Sequence, residues 1–358
     1  MADVVADPLG FGITSAGVSG IAKKSREKDK MKKRILVTRE VFDETIDFLK
    51  GHFEVESNPD DRVYARDELI AKLQGKDGVQ TSSSDRIDAE LLDKCPGVRA
   101  ICNTAVGYNN IDVDACTRHG VVVTNTPGVL TDSVADYSIG LIIATCRRMT
   151  EGEAYLRKGE WKGTFLKQML GQDVHGATLG IFGFGRIGQA IARRARGFDM
   201  KILYHSRNRA AADAESESGA VHTGKEDLLR RADVVLLILP FTPETQHFIG
   251  TKELAMMKPT AVLINMARGG IVDDAALIEA LRKKTIWAAG LDVYENEPKL
   301  NPGFLDLNNV VLSPHIASAS EPTRKAMAMT AAKNLAAVLS GQVPPNLLNP
   351  DYVKHLKA

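Results

Sequence analysis

The chain has almost no net charge. Its 46 lysines and arginines meet 45 aspartates and glutamates, leaving +1 over 358 residues. That balance gives no global field toward nucleic acid or an anionic membrane surface. Long apolar runs are also missing, since none approaches the ~20 residues a membrane-spanning helix needs. Cysteine is scarce. The four present (Cys95, Cys102, Cys116, Cys146) form no CxxC pair and no Cys/His metal spacing. Free thiols in a reducing cytoplasm are the expectation, with no bound metal. No internal repeat is visible in the sequence. What remains is a common globular composition, 44% hydrophobic and 25% charged, on a chain long enough for two domains with full cores.

The first thirty residues stand apart. Leu9 to Ala22 is mildly apolar, but Asp3 and Asp7 precede it where a secretory signal would carry basic residues. Lys23 to Arg34 is a mixed charge run, read as part of a disordered extension over residues 1–30. Met31, directly before KKRILVT, offers an alternative start of translation.

From Arg34 onward, short β-branched runs alternate with helical patterns. Arg34 to Thr38, Phe53 to Glu56, Gly78 to Gln80, Val98 to Cys102 and Val121 to Thr124 read as one series of strands. Thr178 to Phe182, Met200 to Tyr204, Asp233 to Leu239, Thr260 to Asn265, Ile286 to Asp292 and Val310 to Ser313 read as a second. Near-continuous apolar strands separated by helices predict an α/β protein with a parallel sheet in each of two units. Pro127 and Gly128 mark the boundary. A long helix is expected from about Ser133 to Lys158. The last helix should start after Ser320, with Pro322 in its first turn, and end at Gly341. Because it follows the last strand of the second unit, it is free to cross back to the first. Two such crossings would form a hinge beside a cleft.

GFGRIG, from Gly183 to Gly188, ends the strand TLGIF and opens the helix RIGQAIARRA. Gly183 permits the tight turn, Gly185 lets the backbone approach a pyrophosphate, and Gly188 lets the helix pack on the strand. The helix N-terminus presents free N–H groups to the phosphates. A dinucleotide site for NAD expects an acidic residue about 20 residues on, bonded to the ribose 2′-hydroxyl. The chain instead reads His205-Ser206-Arg207-Asn208-Arg209 there. Ser206 can donate a hydrogen bond to a 2′-phosphate, and Arg207 or Arg209 a charged one. NADP(H) is therefore the expected cofactor, with NAD(H) bound more weakly.

Three residues at strand ends supply the chemistry. Arg268, in NMARGGIVDD, follows the strand AVLIN and can grip a substrate carboxylate while polarising a keto oxygen. His315, in SPHIAS, can protonate the oxygen that becomes negative when a hydride adds to a ketone. Glu297, in GLDVYENEP, can hold that imidazole in one tautomer and favour its charged form. Singly, each has a plain structural reading; together they suggest hydride transfer to a 2-keto acid. Asp292 could pair structurally or line the nicotinamide pocket. AVGYNN, at Ala105 to Asn110, could offer the N–H groups of Val106 and Gly107 to a carboxylate, or be a simple glycine turn.

AVGYNNIDVDA, NTPGVLTDSVADY, TLGIFGFGRIGQAIA, ILYHSR, INMARGGIVDD, AAGLDVYENEP and SPHIASAS together resemble the D-isomer-specific 2-hydroxyacid dehydrogenases. The likeness is greatest to the bacterial glyoxylate/hydroxypyruvate reductases, also described as 2-ketogluconate reductases. It covers about Met31 to Pro350. It implies two Rossmann-like or flavodoxin-like domains with cofactor and active site in the cleft between them. Residues 31–127 plus 318–358 would bind substrate, and 128–317 the nucleotide. Arg268 would orient the substrate, with His315 as acid/base and Glu297 as its partner. Gly183, Gly185, Arg186, Ile187 and Gly188 would hold the pyrophosphate, and Ser206 and Arg207 the 2′-phosphate. Pro240, Thr245, Met266, Ala267 and Asp292 would line the cofactor cleft, with Thr131 near it. Val106 and Gly107 would anchor the substrate carboxylate. A homodimer is implied, joined through the nucleotide domain and the segment around Tyr155 to Trp161. NAD-dependent members carry an acidic residue where His205 stands. The competing readings are an NAD-linked D-2-hydroxyacid dehydrogenase and a non-catalytic nucleotide sensor on the same fold.

Overall fold

A computed structural model describes residues 32–355, so the extension expected over residues 1–30 lies outside the described residues. The apolar runs form two parallel sheets. The first contains β1 (Arg34–Val37), β2 (Glu54–Glu56), β3 (Gly78–Thr81), β4 (Ala100–Asn103) and β5 (Val122–Thr124). Its order is β2-β1-β3-β4-β5, with α1 (Asp43–His52), α2 (Arg66–Leu73), α3 (Ala89–Lys94) and α4 (Val113–Arg118) as crossovers.

The chain then enters α5 (Thr131–Cys146) and α6 (Met149–Arg157). The second sheet follows with β6 (Thr178–Phe182), β7 (Lys201–His205), β8 (Ala220–His222), β9 (Val234–Leu237), β10 (Val262–Asn265), β11 (Ala288–Leu291) and β12 (Val310–Leu312). Between them run α7 (Arg186–Ala195), α8 (Ala212–Ser218), α9 (Lys225–Arg231), α10 (Thr251–Met256) and α11 (Asp274–Arg282). The order is β12-β11-β10-β9-β6-β7-β8. β6 therefore pairs with β7 on one side and β9 on the other. That reversal is where an open α/β sheet leaves a crevice for a ligand. β9, β10 and β11 are buried along their whole length, which is why they read as continuous apolar runs.

The last helix, α12 (Glu321–Leu339), packs on β3 and β4 of the first sheet. Its Ala331, Ala332, Leu335 and Leu339 bury against Ile35, Val37, Ala100 and Cys102. The chain thus passes between the sheets twice, after β5 and after β12. The crossings lie side by side: the Ser133 hydroxyl donates to the Ala317 carbonyl at 3.2 Å and sits 3.5 Å from that of Ser320.

Three details differ from expectation. The single helix predicted over 133–158 is two helices, broken at Arg148 in the left-handed region (φ 52°). The Cys146 carbonyl accepts from the Gln172 N–H at 2.8 Å, and Arg148 closes a two-point ion pair with Glu151. A returning loop segment thus occupies the carbonyl at the end of α5. Second, β8 was not anticipated, because three residues with one buried side chain leave no apolar signature. Third, Ser320 occupies the N-cap position of α12, but its side chain makes no capping bond.

Candidate active site

β6 ends in a turn at Gly183, whose φ of +97° is open to glycine and strained for other residues. A Cβ there would lie 2.6 Å from the Ile238 carbonyl oxygen, and one on Gly188 would lie 2.2 Å from that of Gly183. Gly185, the N-cap of α7, has open space where a side chain would project. Two glycines therefore permit the turn and the close helix contact, while the third leaves the helix N-terminus uncovered. Arg186 is exposed and Ile187 half-buried in the first turn of α7. The arrangement fits a pyrophosphate held on free N–H groups.

At the end of β7 the structure separates the two arginines. Arg209 makes a two-point ion pair with Glu215, both contacts at 2.9 Å. Glu215 also accepts the Tyr204 hydroxyl at 2.5 Å, and these partners hold its carboxyl down to about 2. Arg207 is exposed and makes no ion pair among the described residues, so it is the arginine left for a ligand. The half-buried Ser206 donates to the Asn208 carbonyl at 2.6 Å, which shapes the loop. Among the described residues no carboxylate hydrogen-bonds His205, whose Nδ1 lies 2.9 Å from the Thr223 carbonyl oxygen.

The remaining cofactor-side residues surround the C-terminal ends of β9, β10 and β11. Thr245 donates to the Pro240 carbonyl at 2.9 Å and accepts from the Thr242 N–H at 2.7 Å, fixing the loop after β9. Met266 and Ala267 are buried directly after β10, and Thr131 opens α5. Asp292 is only 1% exposed. One of its oxygens accepts the Ser313 hydroxyl at 2.7 Å and the Ile316 N–H at 2.9 Å, and the other accepts the Ala317 N–H at 3.0 Å. Of the two roles the sequence offered for Asp292, this geometry favours the structural one: it anchors the loop that carries His315.

His315 and Glu297 meet. Nδ1 of His315 lies 2.8 Å from Oε2 of Glu297, whose other oxygen accepts the Tyr294 N–H at 2.9 Å. An ionised carboxylate only accepts, so Nδ1 carries the proton, and Nε2 has no partner among the described residues. Burial pushes the Glu297 carboxyl up, but the hydrogen bond and charge of His315, with help from Arg268, bring it below the usual carboxylate range. Glu297 therefore stays anionic and holds the ring in one tautomer. His315 itself holds a left-handed backbone (φ 54°), a conformation that persists where the surroundings enforce it.

Arg268 faces the first sheet. Its Nη1 donates to the Ala267 carbonyl at 2.7 Å and its Nε to Oδ1 of Asn109 at 3.4 Å. Burial lowers its pKa while Glu297 opposes that shift, and a guanidinium in this setting remains cationic. The backbone of Gly107 lies against it: a Cβ on Gly107 would sit 1.9 Å from Nη2. Asn125 holds the Val106 carbonyl at 2.8 Å and Asn103 that of Gly107 at 2.9 Å. The N–H groups of both residues have no partner among the described residues. A cation and two free donors thus converge, as a carboxylate requires.

Sequence reasoning missed the supports. Asn109 lies 159 residues from Arg268, and although it sits in the AVGYNN loop, nothing in the sequence pairs it with that arginine. The buried Tyr294 hydroxyl lies 2.9 Å from the carbonyl oxygen and 2.9 Å from the N–H of Ser313, tying the Glu297 turn to the end of β12. Its partners are backbone atoms, which leave no trace in the sequence.

Residues 139–317 match the family described as D-isomer specific 2-hydroxyacid dehydrogenase, NAD binding domain. A glyoxylate reductase of Thermococcus kodakarensis is 49% identical over 328 residues, covering 90% of this chain and 98% of that protein. The crystal structure of a glyoxylate reductase from Paecilomyes thermophila is 34% identical with a TM-score of 0.80, covering 88% of this chain and 98% of that one. An NADPH-dependent glyoxylate/hydroxypyruvate reductase from Sinorhizobium meliloti, in complex with NADP and malonate, is 35% identical with a TM-score of 0.79, covering 91% and 99%. With this site, these sheets and these relatives, the chain belongs to the D-isomer-specific 2-hydroxyacid dehydrogenases.

Proposed function

We propose that the chain is an NADPH-dependent reductase of small 2-keto acids, with glyoxylate, hydroxypyruvate and 2-keto-D-gluconate as candidate substrates and D-2-hydroxy acids as products. The observation that carries this reading is the His315–Glu297 pair at 2.8 Å on the same side of the cleft as Arg268, which presses on Gly107. A reduced nicotinamide supplies the hydride when bound. The residues of the chain do the rest. Arg268 and the N–H groups of Val106 and Gly107 hold the carboxylate and turn the keto oxygen toward His315. Nε2 of His315 gives that oxygen a proton, and Glu297 holds the ring in line for the transfer.

Gly183, Gly185, Arg186, Ile187 and Gly188 would hold the pyrophosphate, and Ser206 and Arg207 the 2′-phosphate. Pro240, Thr245, Met266, Ala267, Thr131 and Asp292 would shape the rest of the cofactor cleft. The NADP reading is supported by the unpaired Arg207 and the lack of a carboxylate on His205. The names of the relatives support glyoxylate as the first substrate to try. Residues 31–127 with 318–358 would form the substrate domain and 128–317 the nucleotide domain. The exposed apolar residues of the 149–170 segment support a homodimer. The four buried free cysteines support a reducing, cytoplasmic setting.

The test is a set of initial rates with NADPH and NADH, each against the three keto acids. NADPH-preferring turnover on any of them is the expected result. A strict NADH requirement would make the chain an NAD-linked dehydrogenase. NADPH binding without turnover on all three would favour a nucleotide sensor.

A further inference from the structure

We infer that His205 lets one site take either nicotinamide dinucleotide, with the charge on its ring deciding which is favoured. The inference rests on the reading of this cleft as an NADPH site and concerns what reads the ribose 2′-position. His205 closes β7 at the lip of the glycine turn, where its carbonyl accepts from the Gly183 N–H at 2.9 Å. Its Nδ1 lies 2.9 Å from the Thr223 carbonyl oxygen. A carbonyl only accepts, so Nδ1 carries a proton in every state of the ring. Nε2 is then a bare lone pair in the neutral ring and an N–H donor in the charged one.

Those two states suit two ligands. A ribose 2′-hydroxyl, as in NADH, can donate to the neutral Nε2. A 2′-phosphate, as in NADPH, is met by a lone pair in the neutral ring and by a charged donor in the protonated one. A carboxylate at this position would serve the hydroxyl alone, and an arginine the phosphate alone. His205 serves each in turn.

Most charged groups around His205 are committed to partners of their own. Arg209 is committed to Glu215, and Lys225 to Glu253. Asp227 accepts from the Thr223 hydroxyl and from Arg231. Glu244 feels the charge of Arg207, the one cation of the group without an ion pair among the described residues. On the ring faces, His222 lies parallel at 6.1 Å between centroids and Phe182 edge-on at 5.9 Å. His222 is therefore the other imidazole whose charge reaches this spot.

The experiment measures kcat/KM for NADPH and NADH with glyoxylate, from about pH 8 down to about pH 5.5, the range over which imidazole side chains change charge. It compares the wild type with His205→Gln, which keeps a neutral donor and acceptor, and with His222→Gln. The 2′-phosphate also gains a proton near pH 6, but it does so equally with every variant. The NADPH/NADH ratio of the wild type, divided by that of His205→Gln, should rise about fivefold as pH falls, the difference between a charged and a neutral hydrogen bond. His222→Gln should keep the wild-type slope. Equal slopes in wild type and His205→Gln, with NADPH still preferred, overturn the inference alone. So does a slope lost in His222→Gln and kept in His205→Gln. Should His205→Gln fail to fold, His205→Asn takes its place in the same comparison, and a slope equal to that of the wild type overturns the inference. NADH favoured at every pH overturns the NADPH reading as well.

Discussion

A single methyl group on Gly107 would lie 1.9 Å from Nη2 of Arg268, although the two residues sit in loops that follow strands of different sheets. Gly107→Ala is therefore expected to push the guanidinium out of line with the keto oxygen. A misplacement of that size costs about a hundredfold in kcat/KM, and steady-state kinetics on glyoxylate would read it. The melting temperature should hardly change, since the loop is partly exposed. Unaltered kinetics would remove Arg268 from substrate binding. The neighbouring arginine pair gives a second contrast. Arg207→Ala should weaken NADPH about tenfold and leave NADH alone, because a charged hydrogen bond to the 2′-phosphate is lost. Arg209→Ala should affect both cofactors alike, since it frees Glu215 and loosens the Tyr204 contact. Titration of each variant with both dinucleotides checks this, and equal loss of NADPH and NADH in Arg207→Ala would contradict it. The roles proposed for Arg268, Glu297 and His315 could be read from sequence because each follows or flanks a strand end and each has distinctive chemistry. The choice between Arg207 and Arg209 could not, because it depends on Glu215 folding back from α8.

Elements reading as strong apolar runs were legible, and elements defined by their neighbours were not. Eleven of the twelve strands alternate with helices closely enough for two parallel sheets to be foreseen. The break between α5 and α6 was hidden, because the sequence there continues a helical pattern while Gln172 caps Cys146 from outside it. α11 carries a pH effect of its own. Asp274 in its first turn is 4% exposed, and burial above all, aided by Glu295 and Asp273, pushes its carboxyl up to about 6 from 3.8. Ionisation therefore favours the unfolded chain. The stability tied to Asp274 is full below about pH 3.8 and fades as pH rises through about 6, by about 3 kcal/mol at most. Asp274→Asn should match the wild type in thermal melts at about pH 4 and become the more stable of the two toward about pH 7. A constant difference across that range would contradict the shift. Glu297 has the opposite sign: its depressed pKa adds stability above the usual carboxylate value, and this is lost as pH falls through the lowered one.

At the scale of the molecule, six of the twelve exposed large apolar side chains among the described residues fall in one stretch. Met149, Leu156, Trp161, Phe165, Leu166 and Leu170 are each more than half exposed, and Leu166 is 99% exposed. Such a cluster marks a surface meant to be covered. The proposed homodimer would cover it, so Leu166→Asp combined with Trp161→Ala should shift the protein from dimer to monomer in analytical ultracentrifugation. A monomeric wild type would contradict the dimer. The two sheets and their double crossing place the first-sheet loop at Val106 and Gly107 opposite the strand ends that carry Arg268, Glu297 and His315. The central claim is that this placement reduces a 2-keto acid by giving its oxygen a proton from His315. The most direct test is NADPH oxidation by glyoxylate, followed in parallel for the wild type and His315→Ala, with NADPH affinity measured for both. The account predicts turnover in the wild type, a loss of about a thousandfold in the variant, and nearly equal NADPH affinity. Comparable turnover in both proteins, or none in the wild type with any of the three keto acids, would contradict it.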